Sequence, residues 1–106
     1  MTRRGIFYRE LAEEDLANAV RHYVDEAGTR IANDFVDEVQ KLEESILSFP
    51  ALGTIAFSHL LPSAALRMRG VEGFPYCVFY IETDQGIDVI RVLHHRQDIP
   101  SHLRGS

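Results

Sequence analysis

Apolar residues recur at helical spacing through the first half of the chain and at close to two-residue spacing through the second. Ala12, Leu16, Ala19, Val20, Tyr23 and Ala27 fall three or four apart, which sets one apolar stripe on a helix over about residues 12–27. Glu13, Glu14 and Asp15 fall in its predicted first turn, where the positive end of the helix dipole favours carboxylates. Gly28 is a natural stop. Thr29 is then placed to cap a second helix, with a stripe of Ile31, Phe35, Val39, Leu42 and Ile46, ending near Phe49-Pro50. So short a joint folds the two helices back as an antiparallel hairpin. Each helix has a single apolar stripe, so both need a further layer to cover.

The second half supplies that layer. The longest connection runs from about Pro50 to Ser63, punctuated by Pro50, Gly53, Pro62 and two serines. Beyond it, Ala65 to Gly70 predicts a strand with Leu66 and Met68 on one face and Arg67 and Arg69 on the other. Tyr76 to Ile81 is apolar on both faces, the pattern of a central strand. Gly86 closes a turn around Asp84-Gln85, and Ile87 to Leu93 returns, completing an antiparallel meander. Ile6-Phe7-Tyr8 is a short first strand at the sheet edge. The predicted class is α+β in the order β-α-α-β-β-β. The helical hairpin covers one face of a small, curved, mainly antiparallel sheet, and Arg67 and Arg69 point to the other. All 106 residues form a single domain, within the commonest size range.

Composition narrows the function. No stretch approaches the roughly 18 uncharged apolar residues of a membrane span, and Met1-Thr2-Arg3-Arg4-Gly5 leads into no signal-peptide apolar region. A cytoplasmic protein without a membrane partner is expected. Cys77, the single cysteine, has no internal disulfide partner and reads as a small buried hydrophobe. His94-His95 would point to opposite strand faces and serve one ion poorly, so no metal and no cofactor are expected. The formal charge of -5 opposes a surface built to grip long nucleic acid. That charge is uneven. The acids of the two helices far outnumber their bases Arg21, Arg30 and Lys41, whereas Arg67, Arg69, Arg91, Arg96 and Arg104 gather after residue 63 with three histidines. An anion would be recognised from the second half.

Five pieces, taken in order, carry a family resemblance: Ala12-Glu13-Glu14-Asp15-Leu16 followed by Tyr23; Leu47 to Gly53; Leu66-Arg67; Phe74 to Tyr80; and Ile90 to Ile99, with its closing histidine-arginine-aspartate segment. Over residues 6 to 103 the chain resembles the ParE/RelE superfamily of type II toxin–antitoxin toxins, the ParE branch in particular. The resemblance implies the fold order already read from periodicity, growth arrest by the free toxin, and neutralisation by a cognate ParD-like antitoxin. Operator DNA would be bound only through that antitoxin. RelE-like members cleave mRNA on the ribosome; ParE-like members poison DNA gyrase and block replication.

Chemistry leans between the branches. Attack by a 2′-hydroxyl needs a base, an acid for the leaving oxygen, and cations for the phosphorane. A RelE-type site here would draw on Arg67, Arg69, Arg91, His94, His95 and Arg96. Against it, the only lysine, Lys41, lies on the second helix, and no tyrosine follows Tyr80. A gyrase poison needs no catalytic constellation, only preference for one enzyme state. Its target-binding surface is then expected at Arg67, Arg69, His94, His95, Arg96, Asp98 and His102. A third reading is a non-toxic member acting only as a binding partner. Structural roles compete at several positions: Arg67 and Arg69 on a solvated strand face, Arg91 paired with a carboxylate, and Asp98 capping a closing turn before Pro100.

Overall fold

Both helical stripes and both apolar strands take the forms their spacing predicts. A computed structural model describes residues 5–60 and 65–104. In chain order these form β1 (Gly5–Tyr8), α1 (Glu10–Ala27), α2 (Thr29–Ser48), two short 3-10 turns (Pro50–Leu52 and Ser58–Leu60), β2 (Arg67–Gly70), β3 (Tyr76–Thr83), β4 (Gly86–His94) and α3 (Ile99–Arg104). The end of the long predicted connection, residues 61–64, lies outside the described residues. So does the C-terminal pair 105–106.

Gly28 adopts φ 91°, a left-handed backbone open to glycine, and joins α1 to α2 directly. It occupies the cap position assigned above to Thr29, which is instead the first residue of α2. Because α1 begins at Glu10, its first-turn acids are Glu10 and Glu13, and Asp15 lies a turn further in.

The four strands lie in the order β1-β4-β3-β2, with β1 parallel to β4 and the other pairs antiparallel. The hairpin packs on one face: Ala12, Ala19, Phe35, Val39 and Ile46 meet Val78, Tyr80, Ile87, Val89 and Val92. Tyr23, Phe35, Phe74 and Tyr76 interlock there with centroids 5.1–6.0 Å apart. Tyr8 ties β1 to α2 by donating its hydroxyl to Glu43 Oε2 at 2.7 Å. Burial and this carboxylate both push the Tyr8 phenol pKa up.

The opposite face is covered as well. Leu66, Cys77, Phe79, Ile90 and Leu93 are buried with Leu103 of α3, and Phe57, Leu60 and Ile99 pack against them. This second cover explains why β3 and β4 are apolar on both sides. It also corrects the orientation expected for β2. Register sets Arg67 opposite Tyr80 and Arg69 opposite Val78, and both partners face the hairpin. Arg67 and Arg69 therefore point toward α2, while Leu66 and Met68 join the α3 side.

A second departure lies in β4. Phe79 pairs with Arg91 but Tyr80 with Val89, so Ile90 is an extra residue at a bulge. Arg91 thus leaves the row of Ile87 and Val89 that parity assigned to it.

The outer edge of β2 is occupied. Thr54 bridges Met68 antiparallel, its N–H donating to the Met68 carbonyl at 3.0 Å and the Met68 N–H returning at 2.9 Å. Among the described residues, β1 bears no such cover.

Candidate functional site

The residues expected to form one recognition surface divide into separate local structures. Arg67 donates from Nη1 to the carbonyls of Ala51 (3.1 Å) and Gly53 (2.9 Å), and Arg69 donates from Nη1 to Ser45 Oγ at 2.6 Å. Tyr80 adds a 2.7 Å bond from its hydroxyl to the Pro50 carbonyl. Arg67 and Tyr80 staple the segment after α2 to the sheet and Arg69 ties down the last turn of α2 itself, leaving Phe49, Leu52 and Ile55 exposed. Arg67→Ala is expected to lower stability by roughly 1–2 kcal/mol, the loss of two charge-assisted bonds at a half-buried site. Urea unfolding checks this. An unchanged midpoint would remove the staple as a structural role.

Arg91 is buried, and its role is structural. Its Nε and Nη2 grip Asp15 Oδ2 and Oδ1 at 2.7 and 2.9 Å, and Nη1 donates to the His102 carbonyl at 3.1 Å. Asp15 Oδ2 also accepts the Val92 N–H at 3.0 Å. One carboxylate on α1 therefore organises β4 and, through Arg91, α3. The paired guanidinium is held charged, its pKa raised by the bond to Asp15.

Beyond β4 the chain turns tightly. His94 N–H donates to Gln97 Oε1 (2.7 Å), and His94 Nδ1 accepts the Arg96 N–H (2.9 Å). The latter bond fixes the neutral tautomer with its proton on Nε2. Burial, with Arg96, His95 and His22 nearby, depresses the His94 pKa below its ordinary value. Gln97 Nε2 lies 3.5 Å from His102 Nε2. His95 is exposed and held by its N–H on the Pro75 carbonyl. Asp98 caps α3, accepting the Ser101 N–H and hydroxyl at 3.4 and 2.8 Å, which lowers its own pKa. That agrees with its expected capping role, although the helix it starts was not foreseen.

Two depressions flank α1. A polar cleft of about 470 Å³ lies between α1 and the end of β4, lined by Asn18, Ala19 and His22 on one side and Tyr76, His94, Arg96 and Gln97 on the other. An apolar groove of about 830 Å³ lies along β1, lined by Ile6, Phe7, Tyr8, Leu16, Ala17 and Val20 with Glu13 and Arg21 at its rim. There the open edge of β1 and a half-exposed Phe7 offer backbone pairing and apolar burial together.

Of the expected residues, the fold gathers His94, His95, Arg96 and, through Gln97, His102. It sets Arg67 and Arg69 on the far edge strand, two strands from β4. His22, Asn18 and Tyr76 join the polar cleft without having been singled out. Their signal was present in part, since Asn18 and His22 are four residues apart and share a helix face with Asp15.

Comparison with known proteins bears on this geometry. The sequence model describing the ParE toxin of the type II toxin–antitoxin system parDE matches residues 6–99. Among solved structures, a chromosomal ParDE toxin–antitoxin system from P. aeruginosa shares the fold, with a TM-score of 0.70 at 17% identity over 86% of this chain and 95% of that one. No curated protein matches the sequence significantly.

Proposed function

Starting from the fact that the chain belongs to the ParE toxin family of type II toxin–antitoxin systems, we propose that it arrests growth by trapping DNA gyrase. A ParD-like antitoxin then holds it inactive. The observation that carries this reading is the state of Lys41 and of three of the four arginines a RelE-type site would draw on, Arg96 being the fourth. Arg91 is closed into an ion pair with Asp15, Arg67 and Arg69 are bonded to the end of α2 and the loop after it, and Lys41 pairs with Glu38 at 3.1 Å on α2. A nuclease would need such groups converging on one phosphorane. A poison needs only a surface that fits one state of its target.

The proposed target surface is the segment from His94 to His102, with Arg96 and His95 exposed on it. Arg67 and Arg69 serve it only by shaping the opposite edge. The antitoxin would dock in the apolar groove along β1, and operator DNA would be reached through the antitoxin. No helix is long and apolar enough to cross a membrane among the described residues. A gyrase target would place the working toxin in the cytoplasm.

The test uses purified toxin, gyrase and supercoiled plasmid, quenched with detergent and protease, beside a ribosome-programmed mRNA. Cleaved plasmid with intact mRNA is the expected result. Cut mRNA with normal supercoiling would replace this reading with a RelE-type ribonuclease.

A further inference from the structure

We propose that the polar cleft between α1 and the turn after β4 binds a phosphate-class oxyanion, with Arg96 supplying charge and Asn18, His22, Tyr76 and His94 supplying further donors. The inference concerns binding by the isolated chain and stands whether or not gyrase is the target.

Its first support is the charge balance inside the cleft. The one carboxylate lining it is Asp15. That group is already saturated by two guanidinium nitrogens and the Val92 N–H. Every other charged or titratable group there is a cation, a potential cation or a phenol: His22 from α1, Tyr76 from β3, His94 from β4, and Arg96 from the turn. Arg91 from β4 is spent on Asp15, His95 stands beside the cleft, and His102 from α3 is occupied with Gln97 and its surroundings. In a chain of charge -5, this locally unneutralised positive cleft is what an anion would find.

The second support is unspent donor capacity. His94 carries its proton on Nε2, because Nδ1 accepts the Arg96 N–H. No side-chain nitrogen or oxygen among the described residues is both buried and unpartnered. The His94 Nε2–H is therefore not fully enclosed, and neither is the Tyr76 hydroxyl, which bonds to no described residue. Donors thus come from the helix, the sheet and the turn. A tetrahedral anion can accept from three directions, whereas a planar carboxylate would be served by the Arg96 fork alone.

Burial and, after it, neighbouring Arg96 depress the His94 pKa; an anion seated there should offset the second of these, so its titration reports occupancy independently of affinity. Inorganic phosphate is titrated into the full chain at constant ionic strength, following histidine and arginine side-chain signals by NMR. The expected result is saturable shifts at His22, His94 and Arg96, with the His94 midpoint rising by roughly 0.5–1 pH unit. Arg96→Ala should weaken binding roughly tenfold, and His22→Gln should weaken it less. Both residues are exposed, so both variants keep the native spectrum elsewhere. A short oligothymidylate then separates sources: binding like phosphate assigns a nucleic-acid backbone, and binding of inorganic phosphate alone assigns a terminal phosphate. Acetate matching phosphate would overturn the proposal in favour of an acidic side chain. Non-saturating shifts, or wild-type binding by both variants, would overturn it outright.

Discussion

Asp15→Ala is expected to leave the chain largely unfolded at temperatures where the native protein is stable. The Asp15 and Arg91 side chains are only 13% and 10% exposed. Removing the carboxylate strands a buried guanidinium and the Val92 N–H together. Breaking one side of such a pair costs about 3–5 kcal/mol, against a total stability of about 5–15 kcal/mol for a domain. The midpoint of thermal unfolding should fall by roughly 15–30 °C. Arg91→Met added to Asp15→Ala should restore part of the loss, because the uncompensated charge is gone. Calorimetry of the two variants decides it. A single-variant loss below about 1 kcal/mol would mean that the clamp is peripheral to stability.

Gly86→Ala is the second large effect, and it acts on β1. Gly86 sits at φ 137° directly opposite Gly5 in the parallel register. A Cβ there would fall onto the Gly5 carbonyl oxygen, a backbone atom that cannot swing aside. Strain and overpacking together should cost about 2–4 kcal/mol, paid mostly by detaching β1. Hydrogen exchange should then lose protection at the β4-facing amides of Phe7 and Arg9 before the rest of the sheet, and antitoxin affinity should fall with the groove that β1 walls. Gly5→Ala is the control. Its Cβ would meet only the end of the Phe7 ring at 3.3 Å, and that exposed ring can turn away. Equal losses in the two variants would contradict the argument.

Much of this architecture was legible in the chain. Ile31, Phe35, Val39, Leu42 and Ile46 mark α2 unaided, and the doubly apolar run from Tyr76 locates the central strand. What alternation could not reveal is which side of the sheet the hairpin would take. It sorts Arg67 from Met68, but both faces of this sheet are covered, so solvent does not label either one. The second cover comes from α3 and the turn at Ser58–Leu60, elements too short to show a period. Parity failed for Arg91 because a single inserted residue at Ile90 reverses every side chain beyond it. Its pairing with a carboxylate was foreseeable, yet the partner, 76 residues away, was not. The cleft was half visible: His94 and Arg96 stand together in the chain, while His22 and Tyr76 arrive only through the packing of α1 on the sheet.

The Thr54 bridge gives the molecule a handedness of association. Strand pairing between copies needs an edge on each, and the central outward N–H and C=O of β2, those of Met68, are already taken. Two copies can meet through β1, but the dimer so formed presents only its blunted β2 edges outward. Edge-to-edge growth is therefore self-terminating. A partner strand seated on β1 would occupy that same edge, so capture by another protein and self-pairing compete for one place. Loss of the bridge, as in Thr54→Pro, would add a second adhesive edge to the one that β1 presents among the described residues.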